Sequence, residues 1–150
     1  MEAKEVQDMV QMETNEPRSL PQCIALVDDE AHITQAMQML LTLRGVASSV
    51  HQSAESLLQT LQAPNGQLFL HLTDGTRAQL QAVVLDLNLP GMNGIDLVAA
   101  LRRLQPQLRM VMITAALEET LHAQATDLQG VTLLAKPFGL ESLEAALFEN

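Results

Sequence analysis

Val83-Val84-Leu85-Asp86-Leu87-Asn88-Leu89-Pro90-Gly91 is the stretch whose reading decides this chain. A short apolar run ends in one carboxylate, and Pro-Gly follows after three further residues. An apolar run of this length bounded by turn chemistry predicts a fully buried strand. Such a strand delivers Asp86 to its C-terminal end, where open parallel sheets keep their ligand sites. Taken alone, Asp86 reads equally well as a turn residue or a helix cap. The decision rests on what the rest of the chain brings to the same edge.

Upstream, Cys23-Ile24-Ala25-Leu26-Val27 is a second apolar strand, ending in Asp28-Asp29-Glu30. From Glu30 the period changes: Ile33, Ala36, Met37, Leu40 and Leu41 mark one helix face, and Gly45 after Arg44 suits a left-handed C-cap. Val46 to Val50 predict a strand, and Ser53 caps a helix carrying Leu57, Leu58 and Leu61. Downstream, a helix is predicted over Gly94–Leu104, stopped by Pro106, and a strand over Leu108–Ile113 ending at Thr114-Ala115-Ala116. A more polar helix over Leu117–Leu128, a strand over Val131–Ala135 ending at Lys136-Pro137-Phe138, and a short helix over Leu140–Phe148 complete the pattern. Strand and helix alternate five times, which requires parallel pairing through right-handed crossovers and a sheet covered on both faces.

Residues 63–81 break the rhythm. Leu68, Leu70 and Leu72 alternate with Phe69, His71 and Thr73 before Asp74-Gly75, which predicts a hairpin on a two-residue turn with Thr76–Leu80 as its return strand. The bland alternative is a passive surface loop. Residues 1–21 read as an acidic, flexible extension, since termini fray unless tied down, with a short amphipathic helix as the alternative because Val6, Met9 and Val10 fall at helical spacing.

The 150 residues make one domain. A hydrophobic content of 47% suits a globular protein, and no apolar run approaches a membrane span, so a cytoplasmic chain is expected. The net charge of −10 argues against direct binding to nucleic acid or anionic membrane. With no Trp or Tyr there is no platform for base stacking. The lone Cys23 reads as a small core residue, and His32, His51, His71 and His122 as scattered solvated imidazoles.

In a parallel sheet the strand ends share one edge, so Asp28, Asp29, Asp86, Thr114 and Lys136 converge there. Clustered carboxylates repel, and one must hold its proton more tightly unless a cation joins them. Oxygen-only ligands favour a hard ion such as Mg²⁺, and without paired His or clustered Cys zinc does not fit. Carboxylate, metal, Lys and Thr together suit phosphoryl chemistry, with Asp86 as nucleophile.

Val27-Asp28-Asp29-Glu30, Leu85-Asp86-Leu87-Asn88-Leu89-Pro90-Gly91-Met92-Asn93-Gly94, Thr114-Ala115-Ala116 and Lys136-Pro137-Phe138 resemble the receiver domain of bacterial two-component response regulators over residues 22–150. That resemblance implies a flavodoxin-like doubly wound α/β sheet of five parallel strands in the order 2-1-3-4-5, the arrangement for which a chemotaxis receiver is the standard example. It implies that Asp86 accepts a phosphoryl group from a sensor histidine kinase or a histidine phosphotransfer protein. It also implies that Asp29, Asp86 and the Asn88 main-chain carbonyl ligate Mg²⁺, with Asp28 acting through metal-bound water. Lys136 would contact the phosphoryl group, its bond to Pro137 would be cis, and Thr114 would move inward on phosphorylation.

Three departures stand out. Leu133 occupies the position where the family usually carries an aromatic switch residue, residues 63–81 form an insertion, and Glu118, Glu119, Asp127, Glu141 and Glu144 make the face of the last two helices acidic. That face argues against a salt-bridged homodimer there and leaves other homodimers open. Asn88 and Ala116 flank the path of an attacking water, so a phosphoryl lifetime of minutes is expected. Two other classes stay open: an interaction module with a relic site, and a haloacid dehalogenase-type phosphohydrolase. The latter would need an Asp where this chain has Asn88.

Overall fold

A computed structural model describes residues 22–115, 123 and 128–149. In chain order these form β1 (Gln22–Val27), α1 (Ala31–Leu43), β2 (Ala47–His51), α2 (Ala54–Thr60), β3 (Phe69–His71), β4 (Arg77–Asp86), α3 (Gly94–Leu104), β5 (Arg109–Thr114), β6 (Val131–Ala135) and α4 (Leu140–Phe148). One sheet runs β2-β1-β4-β5-β6, with β3 attached to β4. All pairs are parallel except β3 with β4. Counting parallel strands alone, this is the expected 2-1-3-4-5 order. The helix expected over 117–128 and the extension 1–21 lie outside the described residues. No helix among the described residues is long and apolar enough to cross a membrane.

Strand periodicity splits the core into two layers, because successive side chains point to opposite faces. Ile24 and Leu26 of β1, Val84 of β4 and Val111 and Ile113 of β5 meet Met37 and Leu41 of α1 and Leu143 and Leu147 of α4. Cys23, Ala25 and Val27, with Val83, Leu85, Met110 and Met112, meet Ala54 and Leu57 of α2 and Leu97, Val98 and Leu101 of α3. The strands are therefore apolar on both faces, as a sheet sandwiched between helices requires.

Local chemistry sets the helix starts. Ser53 Oγ accepts from the Ser56 amide at 3.1 Å at the start of α2, and Asn93 Oδ1 accepts from the Asp96 amide at 2.9 Å at the start of α3. Asp96 in the first turn of α3 and Arg102 and Arg103 in its last oppose the helix dipole. Gly45 takes φ of 74°, the left-handed conformation expected of it at the end of α1.

The region around 63–81 does form a hairpin, with two corrections. Its loop is Thr73–Gly75, three residues rather than two. The Gly75 amide donates to the Leu72 carbonyl, the Leu72 amide donates to the Thr76 carbonyl, and Gly75 has φ of 86°. Nor is the return strand separate: Arg77–Gln81 run on without a break into the Asp86 strand. The segment is not a passive excursion either. Leu68, Leu70, Ala78 and Leu80 are fully buried in the layer under α2 and α3, and burying each leucine contributes about 1.5–3 kcal/mol. Phe69 packs under the Arg77 guanidinium, 4.2 Å from ring centre. At ~3.3 Å per residue, the length of β4 places this hairpin about 30 Å from Asp86, at the far end of the sheet.

Candidate functional site

The end of β4 carries Asp86, that of β1 carries Asp28, that of β5 carries Thr114, and Lys136 follows β6 directly. Register brings them together: Asp86 lies opposite Ile113, next to Thr114, and Thr114 lies opposite Ala135, next to Lys136. The Lys136 amide donates to the Thr114 carbonyl at 2.7 Å. Asp28, Asp86 and Thr114 are buried, each at most 5% exposed. The Lys136–Pro137 peptide is cis.

Lys136 Nζ binds Asp86 Oδ2 at 2.9 Å and Glu30 Oε1 at 2.8 Å. It also approaches Asp28 Oδ2 to 3.4 Å, an ion pair that lacks hydrogen-bond geometry. Asp28 Oδ2 thus lies buried with no hydrogen-bond partner among the described residues. The other oxygen of each aspartate is held by its own loop, since Asp28 Oδ1 accepts from the Glu30 amide and Asp86 Oδ1 from the Asn88 amide, both at 2.9 Å. These are Asx-turns, which fix each carboxylate against the backbone two residues on. The turn at Asp28 also carries Glu30 round to face Lys136; Glu30 begins α1 without capping it by its side chain.

Asp28, Glu30 and Asp86 each offer an oxygen within 4.8 Å of the others. Asp29, expected by resemblance as a direct ligand, is exposed and lies outside this trio, whose third member is Glu30. The electrostatics follow. Burial, with the Asp86 charge adding to it, raises the Asp28 carboxyl despite the Glu30 amide and Lys136. Lys136 burial by itself disfavours the ammonium, but the bonds to Glu30 and Asp86 and the nearby aspartate charges outweigh it and raise Lys136 overall. Glu30 is held below the usual carboxylate range by its bond to Lys136.

Three carboxylates against one ammonium leave an excess of negative charge that a divalent cation would cancel. The donors are all oxygen, and the buried Asp28 Oδ2 lacks a hydrogen-bond partner among the described residues, so the residues fit a hard cation.

Two further groups support the site, neither of them given a role there by the sequence. Gly94 opens α3 against the site: a Cβ there would lie 2.6 Å from the Asp86 carbonyl oxygen and 2.9 Å from Leu87 Cα. Glu55 Oε2 on α2 accepts from the Met92 amide at 2.9 Å. Of the other expected residues, Asn88 is exposed at the mouth of the site, and Leu133 is half-buried against the α2/α3 layer. Ala116, Glu118, Glu119, Asp127 and His122 lie outside the described residues. His51 corrects the reading of the histidines as solvated: it is buried at the end of β2, its Nε2 lies 2.9 Å from Ser49 Oγ, and its carbonyl accepts from the Asp28 amide at 3.1 Å. His32 and His71 are exposed as expected.

A family model described as response regulator receiver domain matches residues 24–148. Among curated proteins, sporulation initiation phosphotransferase F of Bacillus subtilis (strain 168) is 32% identical over 89 residues, covering 59% of this chain and 70% of that protein. The transcriptional regulatory protein FixJ of Rhizobium meliloti (strain 1021) is 28% identical over 128 residues, covering 82% of this chain and 55% of FixJ. This chain therefore corresponds to about half the length of FixJ. Among solved structures, a response regulator protein from Burkholderia pseudomallei, described with a phosphorylated aspartic acid, calcium ion and citrate, superposes with a TM-score of 0.65 at 23% identity. That match covers 87% of this chain and 68% of the other, and at such identity it speaks for the fold.

Proposed function

Since this chain belongs to the response regulator receiver domain family, we propose that Asp86 is its phosphoacceptor and that a sensor histidine kinase or a histidine phosphotransfer protein is the donor. The observation that carries this reading is the Lys136 bridge, which puts an ammonium 2.9 Å from the Asp86 carboxylate at the shared edge of the parallel strands. It is a signalling domain rather than a conventional enzyme.

An Asp86 carboxylate oxygen attacks phosphorus, an O–P bond forms, and the P–N bond to the donor imidazole breaks, the imidazole taking up a proton. Lys136 turns from carboxylate to phosphoryl oxygens as the charge moves outward, so one cation serves both states. Asn88 keeps Asp86 oriented through its amide. Asp28, Glu30 and Asp86 would hold Mg²⁺, with the Asn88 carbonyl and Asp29 as further candidates, and the ion would supply positive charge against the phosphoryl oxygens. Hydrolysis reverses the modification: water attacks phosphorus and the Asp86 carboxylate leaves.

Output would run through Thr114, which follows the Asp86 partner Ile113 on β5, and through Leu133 on β6. A groove of about 420 Å³ lined by Ile33, Ala36, Met37, Phe138 and Leu140 opens beside Lys136 and offers the phosphodonor protein an apolar seat. The net charge leaves any contact with nucleic acid to a partner.

Incubation with acetyl phosphate and Mg²⁺, followed by intact-mass measurement, tests the assignment. A phosphoryl-sized increase that Asp86→Asn abolishes supports it. Absence of the adduct from the wild type, or its persistence in the variant, refutes it. Amide exchange with and without beryllofluoride tests the switch, which is wrong if the β5 and β6 ends do not respond to bound ligand.

A further inference from the structure

The loop from Leu87 to Asn93 joins the proposed phosphoacceptor to α3 and is held at three places. At its base the Gly94 amide donates to the Leu87 carbonyl at 2.9 Å, and Gly94 packs against the Asp86 backbone. In the middle Leu89 is buried in the core and Met92 packs partly into it. At the crest the hold is polar and comes from another element, because the Met92 amide donates to Glu55 Oε2 from 37 residues away.

Glu55 lies in the first turn of α2, behind the Ser53 cap, where the helix dipole favours a carboxylate without any further partner. It reaches across to the loop instead. The same oxygen also lies close to Gly91, which takes φ of 72°, and a Cβ built there would lie 2.6 Å from Glu55 Oε2. The carboxylate fills the space that a side chain at position 91 would need. Crest and carboxylate therefore fit as a pair, through a donated N–H on one residue and a missing side chain on the one before it.

Resting on the assignment of Asp86, we propose that Glu55 is a positioning residue that latches the crest of this loop and so sets where the Asn88 main chain stands relative to Asp86. Asn88 lies between the base and the crest, and its amide already holds Asp86 Oδ1. Freeing the crest lets that stretch of main chain drift, and with it the oxygens near Asp86 available to a cation. Groups that orient ligands in this indirect way shift metal affinity on the order of tenfold or more when removed. Because Glu55 is exposed, water competes for its hydrogen bond, so the effect falls on position rather than on global stability.

The full chain, isotope-labelled, is compared with E55A, E55Q, G91A and the E55A/G91A pair. Readouts are hydrogen exchange of the Met92 and Asn88 amides, Mg²⁺ titration followed by amide shifts, and modification by acetyl phosphate. In E55A, Met92 exchange should quicken and Mg²⁺ binding weaken, each on the order of tenfold. E55Q should restore most of both, since its amide oxygen accepts the same bond. G91A should be at least as defective as E55A, because φ of 72° strains any side chain at position 91 besides crowding Glu55 Oε2, and removing Glu55 as well should not restore it. Unchanged Met92 exchange and Mg²⁺ affinity in E55A would overturn the latch. So would an E55Q as defective as E55A, which would reduce Glu55 to a distant charge. If the wild type takes up no phosphoryl group, the reading of Asp86 fails, while Met92 exchange still decides the latch.

Discussion

Acidifying the medium from pH 7.5 to pH 5 should cost the folded chain about 2 kcal/mol through His51 alone. Burial holds folded His51 near a pKa of about 4, against an ordinary 6.5. As acid is added, the unfolded chain therefore takes up the proton first. The stability tied to His51 is fully present above 6.5 and is lost progressively as pH falls toward 4, reaching about 3 kcal/mol at its limit. Asp28 works the other way, since its raised carboxyl binds a proton in the folded chain first. Comparing the wild type with His51→Gln in the same buffers removes that opposing contribution. Glutamine keeps a polar partner for Ser49 Oγ, and the backbone bond from Asp28 to position 51 survives. With no Trp or Tyr to report by fluorescence, urea unfolding followed by far-ultraviolet circular dichroism is the suitable assay. The wild type should lose about 2 kcal/mol more than the variant over this interval. Parallel losses in the two proteins would show that His51 is not buried in its neutral form.

Leu70→Ala, in the hairpin far from the site, should cost about 2–5 kcal/mol by chemical denaturation, and a loss under 1 kcal/mol would make the hairpin peripheral after all. Gly94→Ala forces a methyl against the Asp86 carbonyl and Leu87 Cα, so destabilisation of about 1–3 kcal/mol should accompany slower modification by acetyl phosphate. Ser53→Ala removes the cap of α2 and should cost about 1 kcal/mol, measured in the same urea titrations. Burial raises the Cys23 thiol to about 11, so iodoacetamide should leave it untouched until the chain unfolds.

The parallel sheet was legible because its strands are short apolar runs ending in polar residues; α3, β6 and α4 begin and end where periodicity and capping place them. The hairpin was only half legible. Asp74-Gly75 announced the turn and Thr76–Leu80 the return strand, but the polar residues Arg77, Gln79 and Gln81 hid its continuation into the Asp86 strand. Alternating burial beside a third strand outweighs poor strand propensity there. At the site, Asp86, Asp28 and Lys136 were readable from strand ends, because topology alone brings those ends together. The contact between Glu30 and Lys136 was not, since it follows from the Asx-turn at Asp28 that holds the Glu30 amide. His51 escaped because a strand of Ala, Ser and Val gives no hint of which end is covered by the neighbouring loop.

The two groups that share the central ion pair are mounted very differently. Asp86 ends a strand that has a neighbour along both sides, β1 on one and β3 or β5 on the other. Lys136 follows β6, which pairs with β5 alone among the described residues and is only partly covered. The acid is thus an anvil and the base a hinged arm: amide protons of β4 should be the slowest in the molecule to exchange and those of β6 among the quickest of the sheet. Any rearrangement at this edge should travel outward along β6 and leave β4 where it stands.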